Sequence, residues 1–217
     1  KVCGSFADGH VVNRYLDVAR SLGCQVDAPV FPIEITEKEA GQALTIAKHS
    51  GLDVQNSYVI LAIGANWPNK CWPVSRFAEL ADRLYEDGVI PVVIGGAKET
   101  TAFAEMQAIM RIPPVNMIGK TTLKQLAYLI RRSKAFVGGD TGPMHLAAAT
   151  GAPVVALYGP TDTNRNGPFG SGHKSIMIDR DCAGCWQRQC PKSMDCLAQI
   201  SVVEVYNSLQ AILGRKA

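Results

Sequence analysis

The chain has 217 residues and a formal net charge of +3, with 47% hydrophobic and 19% charged residues. This composition is typical of a soluble globular protein, and so small a net charge argues against a nucleic-acid-binding protein. No apolar run reaches the ~20 residues that a membrane-spanning helix needs, and no stretch has the pattern of a signal peptide. The seven cysteines, an odd number, favour a reducing compartment over a disulfide framework.

The first fifty residues contain two predicted helices. A helical pattern covers residues 11–22, and an extended segment with two prolines follows at 27–34. Thr36 and Glu39 then form a capping-box pattern, which predicts the start of a second helix that runs to His49.

From residue 57 onward, short apolar runs alternate with amphipathic segments. The apolar runs predict strands at 58–63, 90–94, 115–118, 135–137, 154–158 and 175–178. The amphipathic segments predict helices at 74–87, 98–110, 122–132, 143–150 and 202–213. Repeated strand–helix alternation with short loops predicts an α/β fold, a Rossmann-like parallel sheet with helices on both faces.

The most informative stretch is the glycine turn at 138–142, which joins a predicted strand to a predicted helix. Such a turn lies at the carboxyl end of its strand, where open parallel sheets bind ligands. The first N–H groups of the helix, together with its dipole, favour an anion such as a phosphate. Asp140 and Thr141 add a carboxylate and a hydroxyl at the same place. For a glycine turn alone, a tight turn with Asp140 as helix cap is an equally good interpretation.

Residues 138–162, GGDTGPMHLAAATGAPVVALYGPTD, make this stretch specific. They closely resemble the signature of glycosyltransferase family 9, the ADP-heptose:lipopolysaccharide heptosyltransferases. The resemblance implies the C-terminal half of a GT-B glycosyltransferase, with residues 55–217 as the nucleotide-sugar-binding domain. Residues 1–54 would be a remnant of the N-terminal domain and the interdomain connection. Because the chain starts at Lys1, we expect a fragment that lacks most of that first domain.

The loop at 64–73, GANWPNKCWP, follows the first strand of the predicted sheet. A lone loop lysine is usually only solvated, but a lysine at this edge can neutralise the charge that a departing diphosphate gains. The loop resembles the family's phosphate-binding loop, which implies that Lys70 contacts the diphosphate and that Asn66 supplies polar contacts nearby. We expect Trp72 and Pro73 to pack the loop against the following helix.

Two further loops match the family's nucleotide site. Glu99 follows the strand at 90–94 and could accept hydrogen bonds from a ribose, or it could simply be a first-turn residue favoured by the helix dipole. The resemblance supports the ribose role. Gly119, Lys120 and Thr121 match the adenine-side segment, where backbone groups could read the base edge.

The glycine turn and the following helix would hold the rest of the donor. The resemblance implies donor contact by Asp140, Thr141 and Gly142, with backbone N–H groups near Met144 and His145 facing the diphosphate. Asp140 could cap the helix, bind sugar hydroxyls or position the donor as the glycosidic bond breaks. We expect His145 to be a structural or supporting histidine rather than a general base.

Four cysteines, Cys182, Cys185, Cys190 and Cys196, lie within fifteen residues. Four thiols suit tetrahedral zinc in number, but their spacing lacks the paired C-x2-C form of most zinc sites. The family often carries cysteines here in a C-x2-C…C-P…C arrangement. A structural zinc site and free or oxidised thiols both remain open, and either would brace an irregular loop without a catalytic role.

The resemblance implies an inverting transferase that moves heptose from ADP-heptose to the lipopolysaccharide inner core by direct displacement. Lys70 and Asp140 would stabilise the diphosphate and the donor, and no metal cofactor would be required. The acceptor base and most of the acceptor site are expected in the N-terminal domain, so the chain alone should bind donor without turnover.

The expected partners are ADP-heptose and a lipopolysaccharide-core or lipid A precursor acceptor, without nucleic acid. The expected location is the cytoplasm, with peripheral association at the cytoplasmic face of the inner membrane as a further expectation. Two alternatives stay open: another GT-B enzyme that uses a UDP-sugar, and a non-catalytic nucleotide-binding module.

Overall fold

The computed structural model describes residues 9–214 of the chain. Residues 1–8 and 215–217 lie outside the described part. Its centre is a six-stranded sheet in the order β3-β2-β1-β4-β5-β6. Every neighbouring pair of strands is parallel, so the predicted parallel α/β fold is confirmed. The strands are β1 (Tyr58–Ala62), β2 (Ile90–Ile94), β3 (Val115–Asn116), β4 (Ala135–Gly139), β5 (Val154–Tyr158) and β6 (Lys174–Met177).

Eight α-helices accompany the sheet in residues 9–214. They are α1 (Val11–Ser21), α2 (Glu37–His49), α3 (Val74–Glu86), α4 (Thr100–Ile109), α5 (Leu123–Arg132), α6 (Gly142–Ala149), α7 (Thr163–Asn166) and α8 (Val202–Ile212). Single 3₁₀ turns lie at Pro68–Lys70, Ala97–Glu99 and Leu197–Gln199. None of the helices in the described part is long and apolar enough to cross a membrane.

The strands are apolar throughout because helices cover both faces of the sheet. All five residues of β1 are buried, and they alternate between two hydrophobic cores. Val59 and Leu61 face the core that is closed by α3, α4 and α8. Tyr58 and Ile60 face the core that is closed by α2, α5 and α6.

The sequence predicted most element boundaries to within one or two residues. The capping box of α2 is confirmed, since Glu39 N donates to Thr36 Oγ1 and Thr36 N donates to Glu39 Oε2. The strand predicted at 115–118 is shorter, although Met117 N still donates to Val93 O at 2.9 Å. The short helix α7 was not predicted; it forms because the Asp162 side chain accepts from Asn164 N at its start.

Helix α2 packs on the sheet rather than standing apart from it. Ala43 and Ala47 are fully buried on its inner face, and they share a core with Phe136 of β4. Helix α1 leaves more apolar surface exposed, including Tyr15 and Val18. The predicted domain limit at residue 54 stays a prediction.

The loop after β1 packs against α3 as predicted. Trp72 is almost fully buried, and its ring meets that of Phe77 edge-to-face at 4.9 Å between centroids. The indole Nε1 also donates to Ile200 O at 3.0 Å, so the loop is fixed to the segment before α8 as well. Pro73 is the residue that precedes the first turn of α3.

Candidate functional site

A cleft of about 560 Å³ opens at the carboxyl edge of the sheet, within the usual size range of ligand pockets. Its walls come from the loops after β1, β2 and β4, together with the start of α5. The sheet order reverses between β1 and β4, which are neighbours although three helices and two strands separate them along the chain. A doubly wound sheet binds its ligands at such a switch point.

Lys70 and Asp140 meet across this switch point. The 3₁₀ turn at Pro68–Lys70 carries the lysine, and Asp140 directly follows β4. Lys70 Nζ donates to Asp140 Oδ2 at 2.7 Å, with both side chains largely withdrawn from solvent. The same ammonium lies 4.3 Å from the centroid of the Trp67 ring.

The Asp140 carboxylate has further partners. His145 Nε2 lies 3.2 Å from Oδ1, and Asn166 Nδ2 donates to Oδ2 at 3.4 Å. Burial alone would raise the pKa of this carboxyl group, but the hydrogen bonds from His145 and Lys70 and the charge of Lys70 hold the pKa well below its usual range. A carboxylate with so low a pKa is a poor general base, because it binds a proton only weakly.

Gly139, the last residue of β4, allows the lysine loop to approach. A Cβ atom at this position would lie 2.4 Å from the backbone oxygen of Lys70. Only a residue without a side chain permits that distance, so Gly139 is required for the contact between Lys70 and Asp140.

The start of α6 lies at the same edge of the cleft. Gly142 and Pro143 form its first turn, and both line the cleft with Thr141 and His145. The hydroxyl of Thr141 is buried and has no hydrogen-bond partner within residues 9–214. A hydroxyl and a first-turn N–H at a helix N-terminus suit an anionic ligand.

The N–H groups of Met144 and His145, which the family resemblance places near the diphosphate, form hydrogen bonds within the helix, and their contact with the diphosphate stays a prediction. Both groups donate to the backbone oxygen of Thr141, at 3.1 and 3.2 Å. The Met144 side chain is also fully buried in the core. The helix takes up these donors itself at its first turn, which leaves Gly142 as the first-turn N–H at the cleft because Pro143 has none.

Glu99 lines the cleft and also has a local structural role. Its Oε2 accepts from Gly96 N at 2.7 Å, and its Oε1 lies 3.6 Å from Lys98 Nζ. A Cβ atom on Gly64 would come within 2.4 Å of the Glu99 carboxyl group, so the loop after β1 packs directly on it. The sequence left two roles open for Glu99, a residue at a helix start and a ligand of the ribose. The structure allows Glu99 to have both roles at once.

Only some of the remaining predicted residues line the cleft. Asn66 and Thr121 line it, and Asn66 Oδ1 accepts from Lys98 Nζ at 3.2 Å. Gly119 N donates to Gly95 O at 2.9 Å, which holds the loop after β3 beside β2. Lys120 Nζ donates to Ser50 Oγ at 3.1 Å, so its charge is engaged with the end of α2.

The cleft is also lined by residues that the sequence analysis did not assign to the site, among them Trp67, Leu123, Leu126, Asn166 and Trp186. Trp67 lies inside the lysine loop, so it carried a weak signal. Leu123 is exposed at the start of α5, whereas its place in the apolar pattern of that helix predicts a buried side chain. Trp186 is distant in sequence from the other lining residues. Its backbone N–H donates to Pro160 O, just past β5, at 2.7 Å, and this bond holds it at the cleft. No pattern in the sequence predicts that contact.

The four clustered cysteines lie in the segment between β6 and α8. Among residues 9–214, no three His, Cys, Asp or Glu side chains are arranged to hold a metal ion, and the possible structural zinc stays a prediction. All four are free thiols. Hydrogen bonds from the Met194 and Lys192 backbone lower the pKa of Cys190, whereas burial and the neighbouring thiols raise that of Cys196.

A parallel sheet with a cleft and a helix start at its switch point defines a doubly wound α/β protein with its ligand site at the carboxyl edge of the sheet. Residues 5–195 match the profile of glycosyltransferase family 9 (heptosyltransferase). The chain therefore belongs to glycosyltransferase family 9.

Relatives with known names support this assignment. The chain is 33% identical over 178 residues to lipopolysaccharide heptosyltransferase 2 of Escherichia coli K12, covering 77% of this chain and 50% of the relative. It is 35% identical over 151 residues to lipooligosaccharide heptosyltransferase 2 of Haemophilus influenzae, covering 66% and 44%. The chain thus spans about half the length of the curated relatives it matches.

Two solved structures share the fold. A glycosyl transferase family 9 protein from Veillonella parvula matches with a TM-score of 0.83 and 26% identity, covering 98% of this chain and 62% of that protein. The E. coli ADP-heptose lipopolysaccharide heptosyltransferase II matches with a TM-score of 0.69 and 29% identity, covering 83% and 52%.

Proposed function

We propose that this chain supplies the donor-binding domain of a heptosyltransferase, which transfers heptose from ADP-heptose to the lipopolysaccharide inner core. One observation carries the proposal: Lys70 and Asp140 meet at the switch point of the sheet, beside the start of α6. Relatives at 33% and 35% identity are named as heptosyltransferases, and a structure at 29% identity is named for ADP-heptose.

The lining of the cleft suggests how the donor lies in it. Leu123 and Leu126 supply apolar lining, and we place the flat adenine ring against them. The Glu99 carboxylate could accept from ribose hydroxyls. The diphosphate would then lie between Lys70 and the Gly142 N–H.

The proposed mechanism rests on stabilising the negative charge that develops on the leaving diphosphate. As the bond between the anomeric carbon and the phosphate oxygen breaks, its electron pair moves onto the diphosphate, and Lys70 and the α6 dipole would stabilise that charge. Asp140 would hold the Lys70 ammonium in place and contact the donor. The acceptor hydroxyl forms the new bond from the opposite face, and its proton goes to a base that we place outside this chain. The low pKa of Asp140 supports that placement.

We also propose that the reaction needs no metal cofactor, since Lys70 and a helix start would supply the positive potential. The acceptor would be a lipopolysaccharide-core or lipid A precursor, reached from the cytoplasm by peripheral contact with the inner membrane. The names of the relatives support the acceptor class. Unchanged ADP affinity after EDTA treatment would support metal independence, and a loss of more than about tenfold would contradict it.

The experiment is calorimetric titration of the chain with ADP and with UDP. We expect ADP to bind more tightly, and Lys70→Ala to weaken ADP binding about 10- to 100-fold through loss of a charged hydrogen bond. Lys48→Ala, which removes an exposed lysine at the end of α2, is the matched control and should leave the affinity unchanged.

Each other result contradicts part of the proposal. A preference for UDP would indicate a related enzyme that uses a UDP-sugar. Failure of both nucleotides to bind would favour a non-catalytic module. Heptose transfer by the isolated chain would show that the acceptor base lies within it.

A further inference from the structure

The loop after β1 separates the cleft described above from a second cavity of about 860 Å³, which is also within the usual size range of ligand pockets. Trp67 and Lys70 of this loop line only the first cleft, whereas Asn69 and Trp72 line only the second cavity. The other walls of the cavity come from the first turns of α3 and α4 and from residues 189–195. The proposed function gives this cavity no occupant.

Asn69 brings an unused hydrogen-bond acceptor to this cavity. The residue is only 6% exposed, and its Nδ2 donates to Gln187 O at 2.6 Å. That bond fixes the orientation of the amide, because a carbonyl oxygen can only accept. The Oδ1 atom of Asn69 is buried and has no hydrogen-bond partner within residues 9–214. A buried acceptor without a partner costs free energy, so a ligand that donates to Oδ1 would recover a bond that the chain leaves unmade.

Asp195 adds a negative charge to the same cavity. The residue is exposed, and it forms no ion pair with any residue that the structure describes. The other two charged residues of the lining are Lys98 and Glu99, whose Nζ and Oε1 atoms lie 3.6 Å apart, so that their charges compensate each other. The lining therefore carries one uncompensated negative charge. Together with the acceptor Asn69 Oδ1, that charge suits an ammonium group, which has three N–H donors and a positive charge.

The start of α3 offers the opposite chemistry at the same cavity. Pro73 and Val74 line the cavity there, and no side chain in the described part of the chain caps the helix. The N–H groups of Arg76 and Phe77 both donate to Pro73 O, whereas the N–H of Val74 has no acceptor inside the helix because no turn precedes it. A first-turn N–H at the positive end of a helix dipole suits a carboxylate.

We propose that this cavity binds a small zwitterion with an apolar side chain, the chemical class of the aliphatic α-amino acids. The ammonium group of the ligand donates to Asn69 Oδ1, and Asp195 supplies the opposite charge. The carboxylate of the ligand accepts from the Val74 N–H, and its side chain packs against Ala102 and Met194. The inference is independent of the proposed transferase function, because none of these five residues lines the first cleft.

The test compares three probes that share one apolar side chain. L-Leucine carries both charges, leucinamide carries only the ammonium group, and 4-methylpentanoate carries only the carboxylate. Calorimetry and saturation-transfer NMR measure their binding to the chain at about pH 6, where both amines are protonated. We expect L-leucine to bind about tenfold more tightly than either of the other two, because each of them lacks one charged hydrogen bond.

Two pairs of variants separate the two charges of the ligand. Asp195→Asn should weaken L-leucine and leucinamide at least about fivefold without weakening 4-methylpentanoate. Asp27→Asn, at an exposed aspartate outside the cavity, is the matched control. Val74→Pro removes the N–H at the first position of α3, which tolerates proline because Pro73 is already extended, with φ −54° and ψ 136°. Relative to Val74→Ala, which keeps the N–H, it should weaken L-leucine and 4-methylpentanoate but not leucinamide.

Asn69→Leu removes the unused acceptor and should weaken both probes that carry an ammonium group. Because this change also removes the bond to Gln187, Asp195→Asn and Val74→Pro decide the question if the variant does not fold. Absence of L-leucine binding or equal affinity for the three probes would overturn the proposal, and so would a preference for L-leucine that survives both Asp195→Asn and Val74→Pro. ADP affinity does not enter this test, so its failure is distinct from a failure of the proposed function.

Discussion

Lys70 and Asp140 are 70 residues apart in the chain, yet Lys70 Nζ lies 2.7 Å from Asp140 Oδ2. The contact exists because β1 and β4 are neighbours at the point where the strand order reverses. A ligand at this edge therefore meets an ammonium whose position is fixed before binding, which lowers the entropic cost of binding.

The Lys70–Asp140 pair should also contribute to stability. The side chains are 12% and 5% exposed, so removal of the lysine leaves a buried carboxylate without its main partner. We expect Lys70→Met to lower the free energy of unfolding by about 2 kcal/mol, and Lys70→Met/Asp140→Asn to lower it less than the sum of the single changes. Urea unfolding measures both, with Lys48→Met as control. Strict additivity would show that the pair is energetically unimportant.

The low pKa of Asp140 makes a prediction about acid stability. The unfolded carboxyl group has an ordinary pKa near 3.8, and the folded one lies well below it. The group therefore contributes stability that is fully present above the unfolded pKa and is lost as the pH falls toward the folded pKa. Below about pH 4, the wild type should lose unfolding free energy more steeply than Asp140→Asn. If the free energy of unfolding fell equally steeply with pH in the wild type and in Asp140→Asn, this account would be contradicted.

Glu99→Gln separates the structural role of Glu99 from its proposed ribose role. A glutamine oxygen can still accept from Gly96 N, so the local turn and the stability should be preserved. We expect the wild type to bind ADP about tenfold more tightly than 2′-deoxy-ADP, and Glu99→Gln to lose most of that difference, because charged hydrogen bonds are the stronger ones. Calorimetry with both nucleotides measures the two ratios. An unchanged ratio in the variant would leave Glu99 with the structural role alone.

Gly139→Ala and Gly41→Ala form a matched pair of changes. At Gly139 the new Cβ would lie 2.4 Å from Lys70 O, whereas at Gly41, inside α2, nothing lies within 4 Å. We expect Gly139→Ala to displace the lysine loop and weaken ADP binding at least about tenfold. Gly41→Ala should stabilise the protein by about 0.5–1 kcal/mol through higher helix propensity, without effect on ADP. Equal ADP affinity in both variants would show that the close approach at Gly139 is unnecessary.

The candidate site was partly predictable from the sequence because its residues lie in strand-end loops. Lys70, Asp140 and Glu99 each follow a recognisable strand, and each lines the cleft. The use of the Met144 N–H could not be predicted, because a pattern does not show which N–H groups the first turn of a helix uses for its own bonds. Trp186 was missed because its position depends on a backbone hydrogen bond to Pro160, a contact without any periodic signal.

The sequence by itself determined the elements of this protein: buried apolar runs form strands, amphipathic segments form helices, and glycine turns join them. These choices depend on neighbours a few residues away, so they are visible in local patterns. Only the tertiary structure decided that the strands lie in the order β3-β2-β1-β4-β5-β6. It also decided that Lys70 contacts Asp140 and that Trp186 lines the same cleft. Strand pairing is a long-range choice, set by how both faces of the sheet are covered, and no single segment carries it.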